Sequence, residues 1–129
     1  LEIEDINILD GGFGYDCSVD KVVIEPSNGA ELIMIPAAFT AFTGKAHWQV
    51  RMQARAIENT AYVLAPAQTG VHHGRRQSHG HALVIDPWGT VLADAGVQAG
   101  AAIAPVNTNH LGHVRGQMPS LRHRQLTLF

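Results

Sequence analysis

Residues 32–67 place the tightest constraint on the fold. Leu32-Ile33-Met34-Ile35 is a continuous apolar run bounded by Gly29 and Pro36, the pattern of a strand buried on both faces. From residue 45 to residue 59 neither Gly nor Pro interrupts a stretch rich in Ala, Gln, Met and Arg. Trp48, Met52, Ala56 and Ile57 give that stretch an apolar stripe at helical spacing. Arg55 and Glu58 fall on one face of the same helix, where they can pair. Residues 62–67 then supply a second apolar run of strand length. Strand, helix and strand in this order imply an α/β layered fold, with a sheet covered by helices on at least one face.

The flanking segments extend that pattern. Residues 7–16, with Gly11, Gly12 and Gly14, read as strand, turn and strand. A short helix over residues 19–27 is opposed by the β-branched Val22, Val23 and Ile24 and by Pro26. A third strand over residues 81–85 leads into Asp86-Pro87-Trp88-Gly89, which carries type I turn chemistry at its first, second and fourth positions. Residues 90–93 should return antiparallel, and residues 101–106 should form one more strand. Asn107 or Thr108 can cap a final short helix that stops near Pro119.

A length of 129 residues bounds the chain to one domain or part of one. Charged residues are only 16% of it, against a typical ~25%, so its surface is poor in charge or is covered by something else. The charge is also split. Residues 1–31 hold eight acids and one base, whereas residues 32–129 hold three acids and eight bases. Arg75-Arg76 and the Arg122/Arg124 pair are too isolated to track a nucleic-acid backbone. No stretch approaches the ~20 apolar residues of a membrane span. A single cysteine, Cys17, excludes an internal disulfide and fits a reducing cytoplasm. The start at Leu1 reads as that of a processed or excised piece.

Cys17, near the end of an expected strand and beside Asp16 and Ser18, is the one side chain with intrinsic nucleophilic reactivity. No local motif supplies it with a base or an oxyanion donor. His72, His73, His79 and His81 invite a metal reading, and His79 and His81 would share one face of a strand. Without a spaced Cys or carboxylate to complete the ligand set, a Gly- and Arg-rich loop leading into a strand explains this cluster more simply. No metal or other cofactor is expected. Ser78, His81 and Asp86 can be written as a triad, but any chain with eight histidines permits such a list.

Several segments, kept in order and spacing, resemble the carbon–nitrogen hydrolase (nitrilase) superfamily. They are Ile-Pro-Ala-Ala-Phe-Thr at 35–40, Thr-Gly-Lys-Ala-His-Trp at 43–48, Gln-Ala-Arg-Ala-Ile-Glu-Asn at 53–59 and Tyr-Val-Leu-Ala-Pro-Ala-Gln at 62–68. Ser-His-Gly-His-Ala-Leu-Val-Ile-Asp-Pro-Trp-Gly at 78–89 follows, and then Arg115, Met118-Pro119 and His123-Arg124. The Gly-Lys-Ala-His-Trp segment is most similar to the branch containing deaminated-glutathione amidase and omega-amidase. The resemblance implies one partial domain over residues 1–129, the C-terminal half of an α-β-β-α sandwich, with residues 29–129 well matched and residues 1–28 a divergent elbow region.

It further implies a hydrolase that cleaves a small-molecule amide or nitrile through a cysteine thioester, using a Glu-Lys-Cys triad. The family's Glu and Lys lie upstream of the matched residues, and neither Lys21 nor Lys45 matches the lysine by position. The family elbow Cys-Tyr-Asp matches Gly14-Tyr15-Asp16, which puts Gly14 at the nucleophile position and Cys17 three residues beyond it. Ala38 and Phe39 match residues lining the substrate pocket, and His47 and Trp48 match the start of the following helix. Arg55 and Glu58 match a buried architectural pair. The implied partners are a small amide substrate and either a second copy or an N-terminal half. The isolated chain is expected to be inactive.

Overall fold

The computed structural model describes residues 29–72, 74 and 76–123. The expected strand-turn-strand of residues 7–16 and the short helix of residues 19–27 lie outside the described residues, as do Gly14 and Cys17.

Strand β1 (Leu32–Met34), helix α1 (Ala41–Asn59) and strand β2 (Tyr62–Ala65) form a parallel crossover unit, with Ile33 beside Val63. Strand β5 (Leu83–Ile85) adds antiparallel to β2, and β6 (Val91–Asp94) adds antiparallel to β5, giving a sheet of order β1-β2-β5-β6. The α/β architecture expected from the 32–67 pattern is present. Helix α1 lies on one sheet face, and its buried Gly44, Trp48, Met52 and Ala56 recur every fourth residue. That stripe meets Val63, Ala65, Leu83 and Ile85, with Ile33, Ile35 and Phe39 at the margin. Each such side chain removed fully from water stabilises the fold by about 1.5–3 kcal/mol.

Three local expectations are corrected. Strand β1 is not buried on both faces: among the described residues it lies at the end of the sheet order, only Ile33 turns toward α1, and Leu32 and Met34 are 37% and 63% exposed on the other side. Ile57 leaves the helical stripe and sits instead against the turn after β5, where a Cβ on Gly89 would come within 2.7 Å of its side chain. The Arg55–Glu58 pair exists at 2.9 Å, but both side chains are about half exposed, so it is a surface pair of little energetic weight.

The turn after β5 follows its sequence. Gly89 N–H donates to the Asp86 carbonyl at 3.0 Å, and the Asp86 carboxylate accepts from the Trp88 and Thr90 amides. Gly89 has φ +90°, a value that favours glycine. Residues 101–106 form no strand. Pro105 has no N–H to give a ladder, and Ile103 is 85% exposed without a strand beside it among the described residues.

Helix α2 (Thr108–Gln117) begins where expected, with the Asn107 side chain accepting from the Asn109 and His110 amides. Its Arg115 ties the N-terminal end of the sheet together, donating from Nε to the Thr60 carbonyl at 3.0 Å and from a terminal nitrogen to the Ala30 carbonyl at 2.7 Å. Thr60 is the left-handed residue that ends α1, so one guanidinium holds both the helix end and the entry to β1. A single turn of 3-10 helix, Ser120–His123, closes the described chain.

The Gly- and Arg-rich stretch expected as a loop is a hairpin. Strands β3 (Thr69–His72) and β4 (Arg76–His79) pair antiparallel, with Thr69 opposite His79 and His72 opposite Arg76. Among the described residues no helix is long and apolar enough to cross a membrane.

Candidate functional site

The parallel strands β1 and β2 end on the same side, and the segments leaving them stay paired. Ala37 N–H donates to the Pro66 carbonyl at 3.0 Å, and Gln68 N–H donates back to Ala37 at 2.9 Å. Gly80 N–H then bonds the Gln68 carbonyl at 3.0 Å, and His79 N–H bonds the Phe39 carbonyl at 2.8 Å. Residues 37–40, 66–68 and 78–81 thus form a rim beyond the carboxyl ends of the parallel strands, where open α/β sheets characteristically bind ligands.

Two of the pocket residues expected from sequence lie on this rim. Ala38 is exposed, and Phe39 is half-buried with its ring 5.4 Å from Trp48 in a tilted contact. Trp48 is buried and donates its indole N–H to the His81 carbonyl at 2.7 Å. His47 precedes it on α1, is exposed, and makes no hydrogen bond to the rim among the described residues.

Sequence reasoning placed His79 and His81 on one strand face. In the structure β4 stops at His79, Gly80 takes φ +75°, and His81 itself takes φ +56°. A non-glycine residue in this left-handed region is uncommon and tends to mark a functional or strained position. The two imidazoles nevertheless stack, with centroids 4.6 Å apart. His81 Nδ1 lies 2.9 Å from one Asp94 oxygen and 3.1 Å from the other, so with the carboxylate ionised Nδ1 carries the proton. The Gly96 amide also donates to Asp94 at 2.8 Å.

Electrostatics follows from this packing. Burial pushes the His79 pKa below its ordinary 6.5, and the neighbouring His81 lowers it further against an opposing pull from Asp94. Burial alone would raise Asp94, but the hydrogen bonds from His81 and Gly96, together with the charge of both imidazoles, hold it below its ordinary 3.8. The space for His79 is provided by Gly44, where a Cβ would fall 2.4 Å from the His79 Cβ and Cγ.

The paper triad of Ser78, His81 and Asp86 is not assembled. His81 pairs with Asp94, while Asp86 caps its own turn and meets His110 Nε2 at 3.3 Å. Among the described residues no group of three or more His, Cys, Asp or Glu side chains converges on a metal-sized site.

Residues 19–115 match the family model described as carbon–nitrogen hydrolase. The chain is 66% identical over 96 residues to the deaminated glutathione amidase of Synechocystis, covering 74% of this chain and 35% of that protein. It is 46% identical over 101 residues to the Bos taurus deaminated glutathione amidase, covering 78% and 31%. Among solved structures, the Caenorhabditis elegans NitFhit protein superposes with a TM-score of 0.71 at 44% identity, over 75% of this chain and 24% of that one. The chain spans about a third of the length of the curated relatives it matches.

Proposed function

This chain belongs to the carbon–nitrogen hydrolase family, and from that premise we propose that it supplies the C-terminal part of an amidase acting on the terminal amide of a small, carboxylate-bearing molecule. The branch is that of deaminated glutathione amidase and omega-amidase. The observation that carries the substrate class is the 66% identity to the Synechocystis deaminated glutathione amidase. In this reading a cysteine thiolate attacks the amide carbon, ammonia leaves and a thioester remains; water then releases the acid and restores the thiol. A glutamate moves the protons, and a lysine with a backbone N–H stabilises the oxyanion. Ala38, Phe39 and His47 are the proposed substrate-facing residues, and the rim beyond β1 and β2 is their setting. A cytoplasmic location is part of the proposal and rests on the single cysteine.

These 129 residues alone are proposed to be inactive, since no Glu or Lys among them matches the family pair and Gly14 stands at the nucleophile position. Ammonia release from deaminated glutathione and small ω-amides should be absent with the purified chain. Turnover that disappears in Cys17→Ala would refute inactivity. The substrate class is tested by grafting residues 29–123 in place of the matching part of the Synechocystis enzyme. Retained hydrolysis is expected, and a folded but inert chimaera would sink the reading.

A second reading, action through assembly with a second copy or an N-terminal partner, is favoured by Leu32 and Met34, exposed on β1, the outermost strand among the described residues. It predicts concentration-dependent association that Leu32→Lys with Met34→Lys abolishes. A monomer at all concentrations by light scattering would count against it.

A further inference from the structure

We infer that His79 is a positioning residue for the pocket-lining Ala38-Phe39 segment, and that protonation of its imidazole loosens that segment. The identity of the segment as a substrate pocket rests on the reading above; the contacts and their response to protons do not. Four links close a circuit through the rim. His79 N–H holds the Phe39 carbonyl at 2.8 Å. The Phe39 ring lies on Trp48, the Trp48 indole N–H holds the His81 carbonyl, and the His81 ring stacks on His79. Next to it, Thr40 and Ser78 form an isolated antiparallel bridge, so the pairing of the Phe39 segment with β4 extends one residue beyond the His79 contact.

Two anchors fix the circuit. His81 is clamped at Nδ1 by Asp94 and at its backbone N–H by the Gly96 carbonyl at 2.7 Å, which together sustain its left-handed backbone. His79 is wedged against α1 at Gly44, the position where a Cβ has no room. The ring of His79 is the one member of the circuit that is free to change charge without a carboxylate of its own. A proton added there is unfavourable for two physical reasons: the ring is partly desolvated, and His81, already tied to Asp94, faces it in a stack. Among the described residues the groups acting on it are few: His81 and Asp94 are the charged or titratable ones, α1 meets it with Gly44, β3 places Thr69 opposite it, and residues 36–40 contain no ionisable side chain. Protonation is therefore expected to break the stack, and because His79 shares its backbone N–H with Phe39, the loss is transmitted to the rim.

The test uses the 129-residue chain and NMR, following the His79 ring protons and the Phe39 and Thr40 amides from about pH 8 to about pH 5. The expected result is one shared midpoint, below the ordinary histidine value of 6.5. In Asp94→Asn both signals should move together to a lower midpoint, since Asp94 supports the charged form of His79. In His79→Phe, which keeps an aromatic ring in the stack and removes the proton, the Phe39 amide should stop titrating. A Phe39 amide that titrates unchanged in His79→Phe, a His79 midpoint at or above 6.5, or Phe39 and His79 signals that part company in Asp94→Asn would each overturn the inference. None of these readouts involves hydrolysis, so an inert chimaera would remove the amidase reading and leave this one standing.

Discussion

Replacing Gly44 by alanine sets two physical effects against each other. On helix propensity alone, Gly→Ala within α1 should stabilise by about 1 kcal/mol. The structure points the other way, because the new Cβ would lie 2.4 Å from both Cβ and Cγ of His79. Those atoms are close to the backbone of β4 and cannot swing aside as the end of a long side chain could. Overpacking of this kind costs about 1–3 kcal/mol. Gly112, on α2, is the control, since a Cβ there would meet nothing within 4 Å. Gly112→Ala should therefore stabilise by about 1 kcal/mol, while Gly44→Ala should be neutral to about 2 kcal/mol destabilising. The difference between the two variants, about 1–3 kcal/mol, isolates the His79 contact from propensity. Urea titrations followed by far-UV circular dichroism measure both. Equal stabilisation by the two alanines would refute the close approach of α1 and β4.

Other perturbations follow from the same contacts. His79 is held below its ordinary 6.5, so its contribution is intact above that pH and is lost as pH falls through its lower folded value; the urea midpoint should drop on acidification, and His79→Phe should flatten that drop. Asp94, held below 3.8, adds a second loss only in strong acid, as pH falls through its own lower folded value. Arg115→Met removes the donors to the Thr60 and Ala30 carbonyls and should destabilise by roughly 2–3 kcal/mol, and Arg115→Lys should restore only part of this because an ammonium cannot span both acceptors in one plane. Trp48→Phe should cost about 1–3 kcal/mol by leaving the His81 carbonyl without its donor, detectable as a lowered thermal midpoint.

Elements whose signals are local were legible in the sequence. The fourfold spacing of Trp48, Met52 and Ala56 and the Asp86-Pro87-Trp88-Gly89 turn each fix their own geometry through steric and hydrogen-bonding rules that involve few other residues, whereas the buried Gly44 one turn earlier lay outside the expected helix. The β3–β4 hairpin was not legible, because its polar residues show no alternation and its contact with Thr40 joins residues far apart in sequence. The rim divides the same way. Ala38 and Phe39 were expected at the pocket by resemblance and do lie on the rim, whereas Asp94 stands 13 residues beyond His81 and meets it only because β6 folds back on β5. The one available signal was the glycine between His79 and His81, which permits the left-handed turn that brings the imidazoles together.

The two strand expectations that failed did so for one physical reason. Leu32-Ile33-Met34-Ile35 was read as buried on both faces and residues 101–106 as a paired strand, and in each case the apolar character is real while the described residues supply too few neighbours. A strand signal states that apolar side chains need covering; it does not say by what. Within these two runs, Met34 at 63% and Ile103 at 85% exposure are the positions where that need is least met. Covering such a side chain fully would return about 1.5–3 kcal/mol each. The low charge of the chain belongs to the same account, since a surface meant to be covered carries few charges to desolvate. Assembly and amidase readings therefore share a requirement: whatever completes the catalytic chemistry should also seat on the exposed face of β1, and Met34→Lys should weaken both association and chimaera activity together.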